Sequence, residues 1–294
     1  MPRTRAASFG WIALAYVTAG AIAWLVVSRL GEAPPWRAML IGDVAATIVV
    51  FAWSVALDNS SVYDPYWSVA PMVFAPWLAL NGAAPTARGV IVTALMLAWG
   101  ARLTWNWARG WQGLAHEDWR YVDIRDKTRR LYWPVSFLGI HLMPTLMVYL
   151  GSLALVPALT IDRPLGPLDL AAALVTIGAI ALEATADAQL RAFRRSAPPA
   201  GAIMARGLWG WSRHPNYLGE ISFWWGLGLF ALAADPGAWR ALAGAAVITL
   251  LFVFISVPLL DRRSVARRPA YAAHMRRVPG LVPRPWRGPA EPGT

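Results

Sequence analysis

The stretch GLWGWSRHPNYLGEISFWWG, residues 207–226, places polar residues directly before a segment that is apolar enough to enter a membrane. Arg213, His214, Asn216 and Glu220 fall at this boundary. Polar and ionisable groups are costly to desolvate there, so they usually face a bundle interior or a water-filled cavity and mark a functional site. The stretch therefore predicts a membrane helix whose first turns belong to a binding site.

The composition is that of a polytopic membrane protein. Of the 294 residues, 57% are hydrophobic and 15% are charged, and the mean hydropathy is +0.43. Soluble domains are rarely so apolar, and the 18 tryptophans suit the headgroup region of a bilayer. The chain begins like a signal peptide, but its first apolar run is long enough to span a membrane and more runs follow, so we expect a retained first helix.

Eight apolar segments have roughly the length of a membrane span, and they predict an all-α bundle of seven or eight transmembrane helices. Pro71 and Pro76 lie in the third segment, which is short, so it is expected to be kinked or to span only in part. The segments are residues 9–29, 37–57, 67–81, 89–108, 133–157, 167–190, 216–234 and 239–260.

No internal repeat or linker divides these segments. Residues 1–282 are therefore predicted to form a single integral-membrane domain. Residues 283–294 are rich in proline and glycine and are predicted to form a flexible tail.

The net charge of +11 is distributed asymmetrically. With eight spans, most arginines fall on the side that holds both termini and the connections near residues 109–132 and 191–215. Because cytoplasmic loops carry such an excess of Lys and Arg, we expect both termini in the cytoplasm. Nucleic-acid binding is the rival interpretation, but the arginines lie between apolar spans rather than on one soluble face, so we expect no nucleic-acid partner.

The absence of cysteine excludes disulfides, thiolate catalysis and cysteine-ligated metals. The four histidines lack the spacing of a metalloprotease motif, and no metal site is predicted. His141 and Glu32 are isolated and receive no role.

Five polar segments converge on the predicted cytoplasmic side. Tyr63, Asp64 and Tyr66 lie at the mouth of the third span. Glu183 and Asp187 share one face of the sixth span because they are four residues apart. The remaining segments are the loop after the fourth span, the stretch SRHPNYLGE and the segment after the eighth span. Together they predict a cavity that opens to the cytoplasm.

Arginines flank the sixth, seventh and eighth spans. Guanidinium groups bind phosphate in a bidentate manner, so as a set they favour a phosphorylated cytoplasmic cofactor. Each arginine alone is more typical of a topology signal or of an anchor for anionic membrane lipids. The set is Arg194, Arg195, Arg206, Arg213, Arg262, Arg263 and Arg267.

Several polar residues have a simpler interpretation that the sequence leaves open. Glu183 and Asp187 would also suit a buried polar network between helices. Asp64, which precedes a proline, would suit a helix cap, and the acidic residues of the loop after the fourth span would pair with its own basic residues. The tryptophans are mostly interfacial. The candidates among them for a ligand pocket are Trp67, Trp99 and Trp225.

The segment GLWGWSRHPNYLGE, preceded by LEATADAQLRAFRR and followed by PLLDRRSVARRPAYAAHM, resembles the integral-membrane steroid 5-alpha-reductase family. It looks most like the bacterial branch of that family, long described as a domain of unknown function. Sterol double-bond reductases and isoprenylcysteine carboxyl methyltransferases share a similar C-terminal half. The resemblance covers about residues 60–285 and is strongest from residue 180 onward.

This resemblance implies a helical bundle in which about residues 167–282 hold NADPH. The N-terminal helices would form a pocket for a lipid-soluble substrate, and we expect the protein in a bacterial inner membrane. Asn216 and Glu220 match residues at the nicotinamide end of the cofactor. Asp187 matches an aspartate near the cofactor, Glu183 stands where steroid reductases have asparagine, and Arg194 matches an arginine on the diphosphate. The other residues expected at the cofactor are Arg206, Arg213, His214, Tyr217, Arg263 and Tyr271.

In the N-terminal half, YDPYWSVAP aligns with a glutamine–glutamate–leucine stretch of the family, with Tyr63 at the glutamine and Asp64 at the glutamate. The family's catalytic tyrosine has no match, because Trp99 stands about where it should be. Tyr63 or Tyr66 is therefore the candidate donor to the oxyanion that forms when hydride reaches an alkene conjugated to a carbonyl. Asp64 either orients the phenol or is itself kept protonated by apolar surroundings.

Two other functions fit this fold. An S-adenosylmethionine-dependent lipid methyltransferase leaves the arginines unexplained, because its cosubstrate carries no phosphate. Such enzymes also tend to have consecutive acidic residues where this chain reads LLDRR. A lipid-binding or transport protein would show inverted repeats and polar groups at mid-membrane. The sequence favours the reductase and leaves the substrate, the stereochemistry and the oligomeric state open.

Overall fold

The computed structural model describes residues 4–81 and 86–283. Over these ranges the chain is helical and contains no β-strand, and the predicted all-α membrane architecture is confirmed. Residues 284–294 of the predicted tail lie outside the described residues. The chain divides into two compact units, residues 1–163 and 164–294. The second unit begins close to residue 167, where the predicted cofactor-binding half starts.

The first unit consists of helices that are joined by short turns. A 3-10 turn, Ser60–Tyr63, joins α2 to α3. Helix α5 bends at Arg129, where φ is +48°, and contains one π-helical turn, Phe137–Leu142. The helices of its described part are α1 (Arg5–Ser28), α2 (Pro35–Ala56), α3 (Tyr66–Asn81), α4 (Ala87–Gly110), α5 (Trp119–Ser152) and α6 (Leu155–Thr160).

The second unit contains three long helices, and each of them starts at a proline. Helix α10 begins with the 3-10 turn Pro236–Ala241 and contains the π-helical turn Phe252–Ser256. The helices of its described part are α7 (Pro167–Arg195), α8 (Leu208–Trp211), α9 (Pro215–Ala234), α10 (Pro236–Arg267) and α11 (Tyr271–Arg277).

Local sequence explains where several helices begin. The Thr86 hydroxyl accepts a hydrogen bond from the Gly89 amide at the start of α4, and the Asp118 carboxylate accepts one from Arg120 at the start of α5. Both satisfy amide groups that have no partner within the helix. Pro215 opens α9, where its fixed φ suits the first helical position.

Six helices in the described part are long and apolar enough to cross a membrane, namely α1, α2, α5, α7, α9 and α10. The other two predicted spans also fold as helices. Helix α3 has 16 residues and holds Pro71 and Pro76 in its interior, so it measures about 24 Å, shorter than the hydrocarbon core of about 30 Å. Helix α4 has the length but carries Arg88 and Arg102 within it. The predicted seven or eight spans would therefore need one or both of α3 and α4 in addition to these six.

Two glycines let α7 and α9 pack closely. A Cβ atom at Gly219 would lie 2.8 Å from Glu183 Cγ and 2.9 Å from the Ala179 carbonyl oxygen. A Cβ atom at Gly226 would overlap with Thr176 Oγ1. Small residues at such positions allow helix backbones to approach within a membrane. The contact places Glu183 against the first turns of α9.

Replacing Gly226 with alanine is expected to destabilise the second unit, because the new methyl group must displace Thr176. Overpacking of this kind costs about 1–3 kcal/mol. The matched control is Gly178→Ala on α7, since no atom lies within 4 Å of its added Cβ and alanine is the better helix former. The measurement is the thermal unfolding midpoint of both variants in detergent. A Gly226→Ala midpoint equal to that of the wild type would contradict the close packing.

Candidate active site and cofactor region

An apolar cavity of about 190 Å³ lies between α1, α2 and α3 of the first unit. Small residues, including Ala19, Gly20 and Ala46, make room for it. Two lining residues, Trp24 and Val73, are 72% and 60% exposed, so the cavity reaches the protein surface. An apolar, partly open cavity with few polar groups is the usual form of a small-molecule site.

The polar end of this cavity is formed by Asp43 on α2 and Tyr66 on α3, here called the acid–phenol pair. The Tyr66 hydroxyl donates to Asp43 Oδ1 at 2.7 Å and lies 3.1 Å from the Asp43 carbonyl oxygen. Asp43 is only 2% exposed, and its second carboxyl oxygen, Oδ2, has no hydrogen-bond partner among the described residues. A buried carboxyl oxygen without a partner is costly, which marks this atom as a contact for a ligand.

Asp43 was missed by the sequence analysis, although a signal for it exists. It is a lone acidic residue inside an otherwise apolar span, which is by default a functional candidate. Tyr66, in contrast, was among the predicted catalytic residues and does line the cavity.

The other two predicted catalytic residues lie outside the cavity wall. The Tyr63 hydroxyl forms a hydrogen bond of 2.8 Å with Thr145 Oγ1, and its ring packs 5.2 Å from the ring of Tyr66. Asp64 is half-buried and accepts a hydrogen bond of 2.8 Å from the Tyr121 hydroxyl. The structure thus brings Tyr63 and Tyr66 together, whereas Asp64 is directed to α5.

The surroundings of Asp64 favour its neutral form. Burial raises the pKa of its carboxyl group from 3.8 to about 7, although the hydrogen bond from Tyr121 and the charge of Arg120 act in the opposite direction. Desolvation penalises the charged form of a carboxyl group. Asp64 therefore titrates near neutral pH.

His141 belongs to a second buried polar cluster beside Tyr63. It lies on the π-helical turn of α5, with Nδ1 3.0 Å from the Ser136 carbonyl oxygen and Nε2 3.0 Å from Ser54 Oγ. Its ring packs 4.9 Å from that of Tyr63. The sequence analysis assigned His141 no role, because a single histidine in an apolar span does not indicate which residues of other helices it contacts.

The loop before α5 combines a solvated pair with a buried anchor. Asp118 pairs with Arg120 at 2.8 Å, as the sequence indicated for this loop. Glu117 is only 13% exposed; its Oε1 accepts from the Ser60 amide at 2.7 Å and from the Tyr132 hydroxyl at 3.1 Å. Glu117 therefore fixes the turn that carries Tyr63.

In the second unit, Asp261 on α10 gathers three of the residues predicted at the cofactor. Arg213 Nη2 lies 2.7 Å from Asp261 Oδ2, His214 Nε2 lies 3.0 Å from Oδ1, and the Tyr271 hydroxyl donates to Oδ1 at 3.4 Å. All the partners are buried or nearly so. Burial and the neighbouring Asp261 charge raise the pKa of Tyr271 to about 12, so its phenol remains a hydrogen-bond donor. The sequence analysis had not singled out Asp261.

Arg213 and His214 also form hydrogen bonds to the segment that follows α11. The Arg213 amide donates to the Pro279 carbonyl at 2.9 Å and the His214 amide to the Gly280 carbonyl at 3.1 Å. The Arg213 guanidinium donates to the carbonyls of Met275 and Val278. The donors of Arg213 are thus engaged within the protein.

The residues predicted at the nicotinamide end, Asn216 and Glu220, lie in the first turns of α9. Asn216 occupies the first turn of α9, and its amide oxygen is buried with no hydrogen-bond partner in the part of the chain that the structure describes. Glu220, one turn later, accepts a hydrogen bond of 2.8 Å from Trp224 Nε1. Glu183 and Asp187 are both buried on α7, and Glu183 packs against Gly219 of α9. An amide oxygen that lacks a donor suits a ligand with an N–H group.

The remaining predicted cofactor residues differ in exposure. Tyr217 stacks on His214 with ring centroids 5.4 Å apart and packs on Phe252 of the π-helical turn in α10. Arg194 and Arg206 are exposed, and Arg263 is half-buried. In the described part of the chain, no three histidine, aspartate or glutamate side chains are placed to share a metal ion.

The raised pKa of Asp64 predicts a pH-dependent contribution to stability. Because the folded state holds the proton more tightly than the unfolded state, this contribution is complete below pH 3.8 and is lost as the pH rises to about 7. Unfolding midpoints in detergent should therefore fall across this window more steeply for the wild type than for Asp64→Asn, which cannot ionise. Asp58→Asn is the control, since Asp58 is largely exposed. An Asp64→Asn profile identical to that of the wild type would disprove this assignment.

Comparison with known proteins gives the family of this chain. Residues 50–278 match the family model described as "Protein of unknown function (DUF1295)". An uncharacterized protein of the fission yeast Schizosaccharomyces pombe is 27% identical over 269 residues, which cover 80% of this chain and 76% of that protein. No solved structure matches the chain. Since the matched region runs from within α2 to the end of α11, the chain belongs to the DUF1295 family, a member of the steroid 5-alpha-reductase-like superfamily.

Proposed function

We propose that this protein is a membrane-embedded, NADPH-dependent reductase acting on a carbon–carbon double bond conjugated to a carbonyl in a steroid-like or other lipid-soluble substrate. The observation that carries the proposal is the acid–phenol pair at the polar end of an apolar cavity, with Asp43 Oδ2 left without a partner. Membership in a superfamily that includes reductases supports the same class of chemistry.

The cavity suits an apolar molecule with a single carbonyl group. In apolar surroundings a carboxyl group is held neutral, and the Tyr66 hydrogen bond occupies Asp43 Oδ1. The proton of the neutral acid would then sit on Oδ2, where it can be donated to a carbonyl oxygen. Tyr66 keeps the acid in this orientation.

The acid–phenol pair would stabilise the charge that develops during reduction. When hydride adds to the β carbon of an enone, negative charge moves to the carbonyl oxygen. Asp43 would give its proton to this enolate, which then tautomerises to the saturated ketone. The apolar wall excludes water, which strengthens the hydrogen bond to the oxyanion. Tyr63 and Asp64 lie outside the cavity wall. We propose that they hold the acid–phenol pair in position, Tyr63 through the packing of its ring on Tyr66 and Asp64 through its hydrogen bond to α5.

The second unit offers groups that fit NADPH. The buried amide oxygen of Asn216 lacks a donor and suits the carboxamide N–H of a nicotinamide. The exposed guanidinium groups of Arg194 and Arg206 suit its phosphates. Glu183, Asp187, Glu220, Tyr217 and Arg263 complete the proposed binding region. When bound, NADPH would supply the hydride.

Three of the predicted cofactor residues bind the same carboxylate of the protein. Arg213, His214 and Tyr271 all bond to Asp261. We propose that their part in cofactor binding is to fix the start of α9 and the segment after α11, and so the position of Asn216. We also propose that both termini face the cytoplasm, where NADPH is available, and that the protein resides in a bacterial inner membrane among anionic lipids.

The first test is cofactor affinity. NADPH should raise the unfolding midpoint of the purified protein in detergent, and S-adenosylmethionine should not. Asn216→Ala should weaken NADPH binding about tenfold, the equivalent of one hydrogen bond, as measured by calorimetric titration. Asn81→Ala is the matched control, because the Asn81 amide donates to the Trp77 carbonyl of its own helix and lies in the first unit, outside the proposed cofactor region. Stabilisation by S-adenosylmethionine alone would replace the reductase with a methyltransferase.

The second test is turnover. With progesterone and a long-chain 2-enal as probes, Asp43→Asn should slow NADPH oxidation at least about 100-fold, because general acid catalysis contributes about 10²–10⁴-fold. Its affinity for NADPH should be unchanged. Asp123→Asn is the control, since Asp123 is half exposed and pairs with Lys127. Normal turnover by Asp43→Asn would remove this residue from the reaction.

A further inference from the structure

We propose that the apolar cavity of the first unit takes a neutral, single-chain lipid that carries its carbonyl group at one end. The carbonyl oxygen would meet Asp43 Oδ2, and the tail would leave the cavity between α1 and α3 into the bilayer. This inference rests on the proposed function, because it names the substrate class for the same site. Binding of the chain can nevertheless be tested without any reduction.

The cavity is long in the direction of the helices. Its lining on α1 runs from Tyr16 to Val27, and its lining on α3 runs from Tyr66 to Trp77. Tyr16 and Tyr66 lie at the same end, because their rings contact edge to face with centroids 6.0 Å apart. At 1.5 Å per helical residue, each of these two stretches measures about 16 Å. The acid–phenol pair therefore stands near one end of an elongated apolar space.

The cavity is also small. Its volume of about 190 Å³ is little more than the ~150 Å³ of an engineered protein cavity that binds benzene. Pockets that enclose drug-sized molecules have about 300–1,000 Å³. A rigid four-ring steroid is too large for this space, whereas a flexible chain can place its first carbons inside and leave the rest outside. Length and volume together favour a single chain.

The polar end of the cavity is closed. The Tyr16 hydroxyl donates to the Val62 carbonyl at 3.0 Å, which ties the cavity wall to the turn Ser60–Tyr63. All the residues of this turn are buried. The second substituent of the substrate carbonyl must therefore be small, such as the hydrogen of an aldehyde or the methyl group of a ketone. An ester or thioester with a large alcohol or thiol group does not fit at this end.

The lining offers no partner for an anion. Among the described residues that line the cavity, Asp43 is the one acid, and none is a lysine, an arginine or a histidine. A carboxylate or phosphate would be buried without a cation and next to a carboxyl group, which is costly. A carbonyl oxygen carries no net charge and needs only a hydrogen-bond donor. The lining thus favours a neutral lipid over a fatty acid or a phospholipid.

One side of the cavity is open. Gly20 and Trp24 on α1 and Val73 on α3 line it and are exposed. Helix α1 is apolar enough to cross a membrane, so exposed residues in its middle face hydrocarbon chains. A chain longer than the cavity can extend through this opening into the bilayer. A Cβ atom added at Gly20 would meet no atom within 4 Å, so a larger side chain there would obstruct the opening without disturbing helix packing.

The experiment is calorimetric titration of the full-length protein in lipid nanodiscs without NADPH, with empty nanodiscs to correct for partitioning into lipid. The probes are 2-tridecanone, its isomer 7-tridecanone, dodecanoate and progesterone. The first should bind at least about tenfold more tightly than the others, the equivalent of one hydrogen bond. It alone combines a terminal carbonyl, a single chain and no charge. Absence of 2-tridecanone binding, or equal affinity for any of the other three, would overturn the proposal.

A variant of the opening tests the path of the tail. Gly20→Leu should weaken 2-tridecanone binding at least about tenfold, because leucine takes the place of about two methylene groups of the buried tail. Gly10→Leu is the matched control. Gly10 is exposed on the same helix, also has no atom within 4 Å of an added Cβ, and does not line the cavity. Unchanged binding by Gly20→Leu would contradict the proposed exit between α1 and α3.

Turnover separates this inference from the proposed function. With NADPH, the methyl enone 3-tridecen-2-one should be reduced faster than progesterone. If 2-tridecanone binds as expected but neither enone is reduced, the single-chain lipid stands as the ligand and the proposed function fails. If progesterone alone is reduced, the proposed function stands and the single-chain substrate is overturned.

Discussion

A carboxyl group inside an apolar helix is the constraint on which the first unit depends. Lipid offers Asp43 no hydrogen bond, so its donors must come from the protein. Tyr66 satisfies one oxygen, and Tyr66 is held by its packing on Tyr63. The turn that carries Tyr63 is fixed in its place by Glu117. Contacts between four elements thus follow from the need to bury one acid.

The second unit also contains a buried acid within a helix, but this acid is fully paired. Asp261 is also an acid within a long helix, but both of its oxygens are satisfied, by Arg213, His214 and Tyr271. A fully paired acid ties elements together. A half-paired acid such as Asp43 retains an atom for a ligand. The contrast in pairing, rather than burial alone, distinguishes the structural carboxyl from the one that we place in the reaction.

The sequence predicted the features that depend on local composition. The helical bundle and its long apolar helices follow from hydropathy, and the polar cluster at the start of α9 follows from the motif at Arg213–Glu220. Tyr66 was also among the predicted residues, because it stands at the start of an apolar helix, and it lines the cavity.

The features that were missed depend on partners far apart in the chain. Asp43 meets Tyr66 across 23 residues, and Asp261 meets Arg213 across 48, so neither spacing forms a motif. His141 reaches Ser54 from a π-helical turn of α5, and hydropathy does not locate such a turn. A lone acid in an apolar span was the one available signal, and it identifies a residue without identifying its partner.

The backbone bonds from Arg213 and His214 to residues 279 and 280 bear on the order in which the second unit is completed during synthesis. The first turn of α9 is made some sixty residues before the segment that secures it. Until the ribosome has released that segment, the start of α9 lacks these ties and Asp261 lacks Tyr271. These ties between the start of α9 and the segment after α11 can therefore form only after α10 and α11 have been synthesised, which makes them a late step in the folding of the second unit.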